Sequence, residues 1–79
     1  MKDDGYVVQL YTIYDKLAEE HASMFEAVND AVAKRQFNNL MKKQDINPDD
    51  YDLVLLGNYN RRNAMIANLI PKIINTREE

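Results

Sequence analysis

The chain has 79 residues, 46% of them apolar and 29% charged, with no cysteine and a net charge of -3. A chain this short forms one domain, residues 1–79, and buries only roughly 60 to 65% of the surface its unfolded form exposes. The apolar content excludes intrinsic disorder, the missing thiols exclude disulfide staples and thiolate metal sites, and the acidic balance argues against coating nucleic acid by bulk electrostatics.

Residues 1–5 and 75–79 are expected to be frayed tails. Lys2 followed by Asp3, Asp4 and Gly5 does not resemble a signal peptide, and no apolar run approaches membrane-spanning length. A cytoplasmic protein without a membrane partner is therefore expected. So thin a core makes a homodimer an expected source of further burial.

The first structural signal is "YVVQLYTIY", Tyr6 to Tyr14, rich in β-branched and aromatic residues; it reads as a strand. Val8, Leu10 and Tyr14 would point to one side of it, and Val7, Tyr11 and Ile13 to the other. "DKLAEEH" breaks the pattern, and "ASMFEAV" reads as a return strand. A helix from Asp15 to Val28 is the competing assignment, because Ala18 to Ala27 also holds helix-forming residues. Asn29-Asp30 then supplies an N-cap and an acid at the positive end of a helix dipole. Ala33, Phe37, Leu40 and Met41 continue from it as one apolar stripe, and Lys42 and Lys43 suit the closing turn. This helix of three or four turns ends before Asn47-Pro48.

"YDLVLLGNY" restores the strand pattern, with Tyr51, Leu53, Leu55 and Tyr59 assigned to one face and Asp52, Val54, Leu56 and Asn58 to the other. Gly57 marks a bulge or a close approach. "NYNRRNA" is a turn by composition. "MIANLIPKII" begins a returning strand that Pro71 either ends or confines to a sheet edge, the competing assignment being a helix from Asn63 to Ile74 that must accommodate Pro71. The resulting expectation is an α+β fold in which two β-hairpins flank one α-helix (ββαββ), a small two-layer sandwich. One helix covers one face of a sheet, yet the first and third strands carry apolar residues on both. Another copy of the chain, stacked nucleotides, or a helix in place of one of the expected strands would each supply the missing layer.

Motifs for catalysis are scarce. His21 stands alone among Glu19, Glu20 and Ser23, two glycines cannot build a phosphate-cradling loop, and Asp49, Asp50 and Asp52 lack the glycine and later glutamate of a calcium loop. The expectation is a protein that is not an enzyme and uses neither cofactor nor metal. Binding features are better represented. Lys34, Arg35, Lys42 and Lys43 fall in a stretch without an acid, from Ala31 to Gln44, and Arg61-Arg62 forms a second basic point. Tyr11, Tyr14 and Tyr59 are candidate stacking platforms. Together these nine residues are the candidate contacts for single-stranded DNA, whose bases stack on aromatic rings while cations follow the backbone. Against this, a charge run commonly forms a solvated face and tyrosines on a small sheet are commonly core.

"LYTIYDKLAEEHASMFEAVNDAVAKRQFNNLM" together with "PDDYDLVLLGNYN" resembles the small nonstructural proteins of gokushovirus-type phages, in the microvirus group of single-stranded-DNA phages. The similar features are the opening strand Leu10 to Asp15, the F-x-A-x-N-D-A-x-A segment Phe25 to Ala33, the helix with Phe37, and the Pro-Asp-Asp-Tyr entry to a strand ending "LGNYN". They cover residues 8 to 62. The resemblance implies a phage protein made in the cytoplasm of the infected bacterium, left out of the capsid, and described as DNA-binding in synthesis or packaging of the single-stranded genome. It assigns no functional residue, and Arg61-Arg62-Asn63 stands where the family tends to have an acidic turn and Thr-Gly. The rival reading is a dimeric interaction module that acts on a host or phage protein without binding nucleic acid.

Overall fold

A computed structural model describes residues 6–76. The proposed tail at residues 1–5 and most of that at 75–79 lie outside the described residues. Strand β1 (Val7–Asp15) leads through a turn to two short strands, β2 (Glu20–His21) and β3 (Phe25–Ala27). Helix α1 (Asp30–Lys43) follows, then a 3-10 turn (Pro48–Asp50) and the long strands β4 (Tyr51–Asn60) and β5 (Ile66–Ile74).

The helix starts where its capping chemistry places it. Asn29, in extended conformation, accepts a hydrogen bond from the Val32 N–H, Asp30 lies in the first turn, and Lys42 and Lys43 lie in the last. The stretch before it is strand rather than helix. Its backbone is claimed by β1, which pairs Tyr14 with His21 and Tyr11 with Phe25, and Asp15 accepts from the Leu17 and Ala18 N–H groups to shape the intervening turn. Around Pro48 the chain is turned by Asn47, whose side chain accepts from the Asp49 N–H.

All five strands belong to one antiparallel sheet in the order β2-β1-β4-β5, with β3 pairing to β1 on the same side as β2. This corrects the expected ββαββ two-layer sandwich. The protein is mostly β, with 46% strand and 25% helix, and its sheet curls into a half-barrel. Two features produce the difference. The return arm of the first hairpin is broken into two pieces, and β4 carries a bulge between Leu55 and Gly57 in its pairing with both neighbours. A bulge bends its strand and strengthens the local twist. Opposite that bulge, β5 spends Leu69, Ile70 and Pro71 against Leu56 alone. Pro71 therefore sits where no ladder hydrogen bond is needed, on an edge strand that resumes beyond it.

The main core lies between the helix and one face of the sheet, while Val8, Thr12 and Val54 are buried on the other. Ala33, Phe37 and Met41 pack against Tyr11, Ile13, Ala27, Leu53, Leu55 and Ile74. A helix of 14 residues is about 21 Å long, and it covers β1, β3 and β4 while reaching only Ile74 of β5. Every other residue of β5 is exposed.

Candidate functional site

Register decides which side chains meet. On the face away from the helix, β1 contributes Val8, Leu10, Thr12 and Tyr14, and β4 contributes Asp52, Val54, Gly57 and Tyr59. The bulge at Leu56 changes the parity of β4, so Tyr59 stands beside Val8 on this face rather than with Leu53 and Leu55, where simple alternation would put it. Two of the three candidate stacking tyrosines, Tyr14 and Tyr59, thus share the helix-free face, both half-buried. The third does not. Tyr11 is on the helix side with no exposed surface, stacked on Phe25 at 5.7 Å between ring centroids and donating its hydroxyl hydrogen to Asp30. A ring so enclosed offers nothing to a base.

Two aromatic groups that the sequence did not single out as binding residues join this face. His21, an apparent bystander in the sequence, packs against Tyr14 with ring centroids 4.6 Å apart. Tyr6, beside the start of β1, lies under the Arg62 guanidinium, 5.3 Å from its ring centroid, within the range of a cation–π contact. Neither was marked in the sequence, where His21 falls in the break ahead of the expected return strand.

The basic turn is built by its asparagines. Asn60 accepts from the Arg62 and Asn63 N–H groups and Asn63 accepts from the Met65 N–H, while the Arg61 N–H donates to the Tyr6 carbonyl. Arg61 then reaches across β1 to Glu26 on β3, with a shortest separation of 2.5 Å. Because Arg61 is opposite Tyr6 and Glu26 is opposite Leu10, the ion pair spans β1. Asp52, also on this face, lies 3.6 Å from Lys16. Glu26 and Asp52 are thereby matched by cations, which lowers the repulsion an anionic ligand would meet.

The helix cations lie elsewhere. Lys34, half-buried, and the exposed Arg35, Lys42 and Lys43 stand on an element packed against the opposite face of the sheet. The six candidate cations therefore divide into two groups separated by the sheet. Lys42 also borders a cleft of about 900 Å³ between the helix end and the end of β5, where Lys16 is the other cation and Asp45, Asp49 and Asp52 are the acids. Its excess of acid makes it a poor seat for a phosphate. A smaller hollow of about 450 Å³, lined by Ile13, Phe25, Phe37 and Leu40 among others, is mostly apolar. Among the described residues, no three side chains of metal-ligating type come together.

Compared with known protein families, the chain matches the phage ORF5 protein over residues 8–79. That is nearly its whole length. The chain belongs to the phage ORF5 protein family. No curated protein and no solved structure matches it. The match takes in every element of this ORF5 family member, the basic turn and β5 included, so the departure at Arg61-Arg62-Asn63 lies inside the family region. Among the described residues of the phage protein, no helix is long and apolar enough to cross a membrane.

Proposed function

We propose that this phage protein is a non-enzymatic accessory factor of the microvirus type, left out of the capsid, that binds single-stranded DNA weakly in the cytoplasm of the infected bacterium and assists or regulates synthesis or packaging of the viral genome. The observation that carries this reading is the helix-free face of the sheet, where Tyr14 and Tyr59 stand on adjacent strands with His21 and Tyr6 at its ends and Arg61-Arg62 at its border. Sheet faces with half-exposed aromatic rings hold unpaired bases by stacking, each worth roughly 1–3 kcal/mol, while nearby cations meet the phosphates. Lys34, Arg35, Lys42 and Lys43 are left out of this contact by their position.

Fluorescence anisotropy of a labelled single-stranded oligonucleotide at two salt concentrations tests the reading. Tyr14→Ala and Tyr59→Ala should each weaken binding about tenfold or more. Arg61→Ala with Arg62→Ala should flatten the salt dependence by about 0.7 for each phosphate that the turn neutralises. An unchanged slope would remove the arginine turn from the interface, and no binding at low salt would overturn the reading altogether.

The exposed aliphatic run along β5 favours a second reading, a dimeric module acting on a host or phage protein. A protein that self-associates yet ignores the oligonucleotide would support it.

A further inference from the structure

The rings on the helix-free face are not spread evenly. Tyr59 is level with Val8, while Tyr14 and its partner His21 are level with one another six residues further along β1. At about 3.3 Å per residue, these two stations are about 20 Å apart. Between them β1 and β4 present Leu10, Thr12, Val54 and Gly57 to this face, none of which carries a ring. Thr12 and Val54 are buried, so the middle of the face is a filled floor. The cations stand at one end. Arg62 lies over Tyr6, which precedes Val8 by two residues and so sits about 7 Å beyond the level of Tyr59. The other end has Asp52 opposite Tyr14, with Lys16 as its counter-ion.

This spacing sets the length of strand that the face can take. A single strand advances about 3.4 Å per nucleotide when its bases stack on one another, and roughly twice that when they are splayed onto protein rings. A base gives its face to a tyrosine only by leaving its neighbour, so a strand held here is extended. Three such steps of roughly 7 Å carry it from Tyr59 to Tyr14, and one step the other way brings a phosphate to Arg62. Resting on the single-stranded-DNA reading above, we infer that the face is a two-station site for an extended strand of about five nucleotides laid along β1. One base stacks on Tyr59, the base about three nucleotides on stacks at the Tyr14–His21 pair, and those between bridge the filled middle without a ring to hold them. A strand crossing the sheet from β2 to β5 would meet one station alone.

NMR titration of the full chain with oligothymidylates of three, five and ten nucleotides provides the test. The trimer should shift the resonances of Tyr59 and Arg62 and leave His21 unmoved. The pentamer should shift His21 as well and bind about tenfold or more tightly, the worth of a second stacked base. The decamer should add only the statistical gain of having more registers. Tyr14→Ala, with its circular dichroism unchanged, should bring the pentamer down to the affinity of the trimer and leave the trimer's own affinity as it was. Affinity that climbs evenly with length, or a pentamer that leaves His21 unmoved, would overturn this inference while the binding reading stands; a decamer that does not bind at low salt would overturn both.

Discussion

Tyr11 shows how one hydroxyl ties two elements together. Its hydroxyl donates to Asp30 at 2.5 Å, linking the middle of β1 to the first turn of the helix. Burial above all, and then the hydrogen bond and negative charge of Asp30, push its ionisation well above the ordinary 10.0 of a tyrosine. Above pH 10.0 the unfolded chain releases this proton while the folded chain keeps it. The unfolded state then binds fewer protons, so the stability from this group, fully present below that pH, is lost as pH rises toward the folded value. Tyr11→Phe should cost roughly 1.5–3 kcal/mol at neutral pH and make the alkaline decline shallower, as read from urea midpoints on either side of pH 10.0. Equal declines in both proteins would show that other groups govern alkaline unfolding. At this scale the sequence is informative about caps and poor about tyrosines. Asn29 is marked as a cap by Asp30 and the apolar stripe beyond it, whereas Tyr11, Tyr14 and Tyr59 are the same residue type in three environments.

Between residue and fold stands the bulge in β4. Gly57 is readable in the sequence as a bulge or a close approach, and it is next to the one and is the other. A side-chain carbon at this position would run into the Ala67 carbonyl of β5. Gly57→Ala should therefore weaken the β4–β5 pairing by about 1–3 kcal/mol, and amide exchange should accelerate in β5 more than in β1. Uniform acceleration would mean that β5 does not open separately. The consequence of the bulge for Tyr59 is not readable in the same way, because inserting one residue turns every later side chain to the other face. The same limit applies to residues 15–28. Their helix formers are local, while the pairing partners that make them strand are supplied by β1.

For the whole molecule, the sheet acts as a partition between a buried, helix-covered side and an aromatic side edged by the arginine turn. Charges on one side are screened from ligands on the other once the separation exceeds the Debye length, about 8 Å at physiological salt. Lys42→Gln with Lys43→Gln should accordingly leave oligonucleotide affinity within about twofold, measured beside the far larger effect of Tyr59→Ala; a comparable loss would place the contact on the helix instead. The sequence shows that apolar residues lie on both faces of the sheet and that a layer is lacking. It does not show the curl, since twist accumulates from bulges on two strands and from the break between β2 and β3.

Pro71 has a bearing on how such a chain behaves when it is made in quantity. Stacking into cross-β fibrils requires an uninterrupted segment of about six residues, of high β-propensity and without proline. The regular pairing of β5 is divided into Ile66–Asn68 and Lys72–Ile74, three residues each. Neither piece is long enough to template a growing fibril, so the most aliphatic edge of the protein is broken where a fibril would need it continuous.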